Sequence, residues 1–400
     1  TGTNNNNRLA NAASGRFVVR GGELDVRSHA STALAETAAP LALLGGGAIS
    51  LTASGNVNGS VLAFNGALTR SSQGTALVRG RNLGDSLAAN VAQVTFGTPP
   101  TLSNAGSGTT QGILPYFTVD KSAAGIGTDL ATYGATGVRP LTAGEYNTVL
   151  NAGDNVKLAG STNTSGSIAL NSLVLSSGGS GVTLTNTGNT LTISSAAILS
   201  TGTDANTITG GTVTADANSA LGASHELAIH TARDLNLSAV VADNGANAVK
   251  LTKAGGGRLT LDQTNTHTGG TFVTDGTLRL ASGATNILPD ARDVSVANGT
   301  LDLGDHSETV NTLNVYGGTV TGTTGVLTSA GGNRVRISGG EIAAILGGGS
   351  SGTTQVRSEA NALSGNGVFT RAVLSGANTF AGVTMVGANT TLTLRNGSAL

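Results

Sequence analysis

The chain has no cysteine, no tryptophan, one methionine and only six prolines in 400 residues. Without cysteine there is no disulfide, no thiolate metal site and no thiol nucleophile, and exported proteins often avoid the residue. Aromatics are 3% of residues, too few for a conventional core built on large rings. Charged residues reach only 11%, with 21 basic against 22 acidic. That balance excludes the basic footprint that nucleic acid requires, and equally an electrostatic membrane anchor. No apolar run approaches the roughly 18 residues of a bilayer span. The longest, "APLALLGGGAI" at 39–49, is short and broken by glycine, so no segment is expected to insert directly into a membrane. The opening residues show no signal-peptide pattern, and the chain reads as a segment of something longer.

What is present is glycine, 61 residues of it, and small aliphatics within a hydrophobic content of 38%. Such a chain has apolar surface to bury and is not expected to be disordered. Helical spacing is weak, confined to 30–44, which contains Pro40, and 83–94. Elsewhere the period is two, as in "TLTI" (190–193), "TLRL" (277–280), "TLDL" (300–303), "RVRI" (334–337) and "TLTL" (391–394). Apolar side chains at i and i+2 share one face of a strand, and Gly, Asn, Ser and Asp between the runs turn the chain.

Many short strands at uneven intervals fit either an array of sandwiches or a β-solenoid. The small aliphatic core, the short strands and the scarce proline favour the solenoid, in which each coil lays short strands onto parallel sheets. Three blocks are expected. Residues 1–95 and 147–400 read as solenoid. Residues 96–146 hold four of the six prolines and three of the four tyrosines, and read as a loop-rich excursion or a seam between solenoid blocks. At about 22 residues per coil, the solenoid part makes roughly 16 coils and about 75 Å of rod.

One stretch, "LTKAGGGRLTLDQTNTHTGGTFVTDGTLRL" at 251–280, has a degraded copy at 374–394, within a repeat region near 364–394. The copies are offset by 113 and then 114 residues, about five coils. The stretch resembles the autotransporter-associated β-strand repeat, also called the passenger-associated transport repeat. Asn265, Thr266, Thr268, Gly269, Gly270, Thr271, Val273, Gly276, Thr277, Leu278 and Leu280 fit its pattern, and His267 stands where that family usually has an aromatic. The second copy keeps Asn378, Thr379, Phe380 and Gly382, with Val383 for the second glycine.

The resemblance implies a right-handed parallel β-helix in a large exported bacterial surface protein, with the repeat serving secretion and folding rather than catalysis. It implies an extracellular or outer-membrane-attached setting. Glycines 255–257 and 269–270 are expected to make sharp corners with positive φ.

Chemical candidates are sparse. "HELAIH" (225–230) places its second histidine one residue too late for a helical zinc pair. "GGSSG" (348–352) matches a nucleophile elbow around Ser350, but lacks the strand and helix that an elbow needs. Asp290, Asp293, Asp302 and Asp305, with Glu308, Arg292 and His306, are weak candidates for a cation or for the acidic face of a pectin-lyase-like enzyme. The four lysines, at 121, 157, 250 and 253, form no phosphate loop. Tyr116, Phe117 and Tyr133 are the candidate ligand or partner surface.

The expectation is therefore a non-catalytic structural shaft or adhesin-like segment needing no cofactor. Its partners would be host or cell-surface glycans or proteins, or copies of itself. The alternatives are a polysaccharide-degrading β-helix enzyme and a self-assembling extracellular filament or sheath subunit.

Overall fold

The computed structural model describes residues 8–9, 11–12, 14–29, 32–53, 58–104, 106–281, 286–330, 334–348, 355–358 and 370–396. Among these there is no α-helix; nearly all regular structure is short strands in parallel register. The fold is an all-β parallel solenoid.

The chain winds two rods. The first has three coils. The strands Phe17–Val19, Glu23–Arg27 and Leu34–Ala38 form coil one, and each pairs in parallel with its counterpart in the next coil. The weak helical spacing at 30–44 is overridden here. Leu34 and Ala38 point inward with period two, and Pro40 sits at the corner between the strands Leu34–Ala38 and Leu41–Leu43. The 83–94 stretch is turns that lead into the strand Ala92–Phe96. This rod collects much of the chain's phenylalanine: Phe17, Phe64, Phe96 and Phe117 stack through its interior at centroid distances of 6.1, 5.5 and 6.4 Å.

Residues 96–146 then reverse the chain. The strand Leu114–Asp120 adds to the first rod in parallel, and Asp129–Gly134 and Gly137–Pro140 close that sheet in antiparallel fashion. Pro140 ends the edge strand, where its missing N–H breaks no ladder.

The second rod stacks eleven rungs, from Asn155–Leu158 to Thr384–Val386, with a second sheet running from Thr162–Asn163 to Thr390–Leu394. Its coils are uneven. Leu251, Thr271, Val294, Leu313 and Val335 stand in one column, so successive coils take 20, 23, 19 and 22 residues. The column continues through Val356 to Thr384, so Thr271 and its counterpart Thr384 are five rungs apart. Ten steps of about 4.8 Å make the rod about 48 Å long. That is shorter than the 75 Å of a single continuous stack because the first coils fold back.

The rods lie side by side with opposite stacking directions. Going up the first rod, Arg20, Gly46, Arg70, Pro115 and Gly127 meet Tyr316, Thr274, Glu226, His230 and Thr201, going down the second. Burial records the contact. In the free sheet it alternates, as in Thr277–Leu280, where Leu278 and Leu280 face in and Arg279 faces out. In the covered sheet both faces are buried, as along most of Ser172–Ser177 and Ser224–Thr231. A separate apolar cluster fills the seam, with Ile113, Leu130 and Tyr146 of the reversal against Val174, Ala197 and Leu199 of the second rod.

Candidate functional site

The repeat is a clamp between coils. Asn265 is 2% exposed. Its side-chain oxygen accepts from Val241 N at 2.8 Å, on the coil before, and its amide donates to Ile287 O at 2.9 Å, on the coil after. A third bond, to Gln263 O at 2.9 Å, fixes the local turn. One side chain thus ties three successive coils. In the second copy Asn378 accepts from Leu346 N at 2.8 Å, and Thr379 N donates to Leu346 O as Thr266 N does to Val241 O.

Thr268 donates from its amide and its hydroxyl to Asp243, 2.7 and 2.6 Å away, and Val249 N donates to the same carboxylate. Burial would raise the Asp243 carboxyl, but these donors hold it below the usual range. Asp243 lies outside the motif, and only the coil length brings it under Thr268.

Gly255 and Gly270 have φ of +75° and +89°, as their corners require. Gly269 is needed for space, since a Cβ there would lie 2.5 Å from the Val249 carbonyl. Thr271, Val273, Leu278 and Leu280 are buried strand positions, and Gly276 turns between them with φ of +60°. Beneath these corners Lys253 is fully buried. It donates to Ala254 O, Gly255 O and Asp275 O at 3.0, 2.6 and 2.9 Å. Burial lowers its pKa, yet three acceptors around one nitrogen match the three N–H bonds of an ammonium.

His267 fills the slot of the usual aromatic. It is buried, with Nε2 2.9 Å from Thr271 Oγ1 and no partner for Nδ1 among the described residues. Burial pushes its pKa down to about 4, so the ring is neutral at pH 7. The folded pKa lies below the unfolded value of about 6.5, so stability is full above 6.5 and is lost as pH falls toward 4. His267→Phe is expected to remove about 2–3 kcal/mol of the stability lost between pH 7 and pH 4. Urea unfolding at both pH values checks this; equal acid sensitivity of the two proteins would contradict the assignment.

The remaining sequence candidates are not brought together. Of the residues expected to form a ligand surface, Tyr116 and Phe117 are internal and Tyr133 is half-buried. Tyr116 is 4% exposed under the Arg70 guanidinium, Phe117 is fully buried in the ring stack, and Tyr133 bonds the Phe96 backbone. The prolines and tyrosines of 96–146 mark the rod reversal, and Tyr146 packs into the seam cluster. Asp302 pairs with Arg279, Asp293 accepts from Asn311 at 2.7 Å, Asp290 faces Asn286, and Asp305 is exposed. Glu308 instead turns inward, accepting from Ile287 N and Leu288 N, and burial raises its pKa to about 7. Among the described residues no three His, Asp or Glu side chains converge as metal ligands. His230 is buried against Pro115 O, five residues from His225 on one strand. Ser350 lies outside the described residues.

Two depressions carry polar chemistry. A cleft of about 560 Å³ between the rods is lined by Glu23, Arg79, His230, Asp234 and Asp275; within it Arg79 pairs with Glu23 at 2.7 Å. A shallower one of about 420 Å³ lies on the second rod around Phe272, Asn314, Tyr316 and Arg336. No sequence signal marked the second, because its residues come from four coils of unequal length.

Fold and site together define a parallel β-solenoid whose coils are clasped by a buried asparagine. Residues 251–280 match the family model described as Passenger-associated-transport-repeat, so the clamp is a copy of that repeat. In comparisons with curated proteins and with solved structures nothing matches the chain. The repeat supports a passenger-domain role in autotransporter-type proteins, and with it a secreted or cell-surface setting.

Proposed function

We propose that this segment is a non-catalytic structural shaft within an adhesin-like passenger, and that its repeat stabilises the rod as it stacks. The observation that carries the reading is the Asn265 clamp inside the matched repeat, because it spends a buried polar side chain on coil-to-coil cohesion. In a solenoid, stability is largely a sum of nearest-neighbour terms, so a coil tied on both sides templates its neighbours. The carboxylates singled out by sequence support the same reading: Asp302 pairs with Arg279, Asp293 accepts from Asn311 and Asp290 from Asn286. The purified chain is expected to release no reducing ends from acidic or neutral polysaccharides, and to be accessible to antibody on intact producing cells. Cleavage abolished by substitutions within 290–308 would replace this reading with the enzymatic one.

A further inference from the structure

The second rod carries a groove that its structural role does not use. Phe272, Ser295, Asn314 and Arg336 are register partners on four successive rungs. At about 4.8 Å per rung they form a straight outward row about 14 Å long. Their strand neighbours, Val273, Val296, Val315 and Ile337 among them, face the core, so the row belongs wholly to the outer face. Tyr316 stands beside it. Burial raises the pKa of its hydroxyl, and its carbonyl accepts from Arg20 of the first rod at 2.6 Å. Arg292, Asp293 and Asn311 line the other side of the depression.

Asp293 and Asn311 are matched to each other at 2.7 Å, but other polar groups here are not. Asn314 is 6% exposed, and its side-chain oxygen has no hydrogen-bond partner among the described residues. Arg292 and Arg336 make no side-chain hydrogen bond or ion pair among the described residues. That oxygen is closed to solvent, so it is a cost of the local packing and not a contact offered to a ligand. Two open guanidinium forks call for an anion, best a carboxylate. The Phe272 ring calls for an apolar face to stack on.

We propose that this groove binds an anionic oligosaccharide, a uronate-bearing chain laid along the stack. Sugar hydroxyls donate to Asp293, carboxylates accept from Arg292 and Arg336, and a C–H face lies on Phe272. A bare inorganic anion cannot stack on the ring, and a neutral glycan leaves both guanidinium groups unused. The row is straight because the sheet is parallel, which suits a linear chain rather than a compact ligand. This deepens the adhesive side of the proposed function: loss of glycan binding would leave the shaft reading intact.

The test is calorimetric titration of the purified chain with tetragalacturonate and a hyaluronan tetrasaccharide, against maltotetraose and tetra-aspartate. Saturable binding of at least one uronate oligomer is expected. Phe272→Ala and Arg336→Ala should each weaken it by about tenfold or more, with Arg336→Lys between. Both positions face outward, so unchanged thermal unfolding confirms that the three variants fold. Three results would each overturn the proposal: no uronate binding at millimolar ligand, binding indifferent to Phe272 and Arg336, or tighter binding of tetra-aspartate, which would make the groove a peptide site.

Discussion

Asn265→Ala is expected to lower the unfolding free energy by about 2–4 kcal/mol, far more than a typical surface change. The substitution leaves Val241 N buried without its acceptor and takes a donor from Ile287 O and from Gln263 O. Ile287 O keeps a second donor, Asn265 N at 3.0 Å, so the larger share of the loss belongs to Val241. Asn265→Asp tests the logic from the other side. It retains an acceptor for Val241 N but turns the donor edge into a second acceptor facing two carbonyls. The aspartate variant should therefore be the less stable at neutral pH and recover in acid, when protonation restores a donor. Thr260→Ala, on the solvent face of a neighbouring strand, should change stability by under about 0.5 kcal/mol. Urea unfolding with amide exchange at Val241 distinguishes these outcomes. A loss below about 1 kcal/mol, with Val241 still protected, would show that the clamp is dispensable.

The clamp was half legible in the sequence. The alternation in Thr-Leu-Arg-Leu gives the inward Leu278 and Leu280 and the outward Arg279, because strand faces follow from a period of two with no knowledge of partners. Asn265 could be read as a repeat position but not as a tie between coils. Its partners lie 24 residues before and 22 after, and coil lengths that vary from 19 to 23 nearby hide such offsets. The same uneven winding hides the row from Phe272 to Arg336, whose members are ordinary residues until the register sets them in line.

The fold-back was hidden for a different reason. Residues 96–146 stood out by their prolines and tyrosines, but composition does not say whether a loop decorates a rod or reverses it. The answer lies in contacts such as Asn104 with Asn171 and Thr201 with Gly127, which join residues 67 and 74 positions apart. The tyrosines were read as surface chemistry because they are rare here. Tyr116 and Tyr146 are instead seam residues, buried under Arg70 and Lys157 respectively.

Glu226→Ala is expected to separate the rods before either unfolds. The Glu226 side chain is 1% exposed and meets Arg70 in a two-pronged pair, both bonds 2.7 Å, while Thr252 donates to the same carboxylate. Removing the carboxylate strands a guanidinium in the seam, on the same face as His230. A buried pair broken on one side costs about 3–5 kcal/mol, here borne mainly by docking rather than by either stack. Arg70→Ala together with Glu226→Ala should recover much of that loss. Arg258→Ala, which breaks a half-exposed pair with Asp234, should cost under about 1 kcal/mol. Acid should act in the same direction as Glu226→Ala. Burial would raise the Glu226 carboxyl, but Arg70 and Thr252 hold it below its ordinary value, so its contribution is present above the unfolded pKa and lost as pH falls. His230, lowered to about 4 by burial although its bond to Pro115 O favours the charged form, loses stability over the window from about 6.5 down to 4. Small-angle scattering should therefore show the radius of gyration rising on acidification while the strand signal in circular dichroism persists. Simultaneous loss of both signals, in acid and in Glu226→Ala alike, would show that the two rods stand or fall as one cooperative unit.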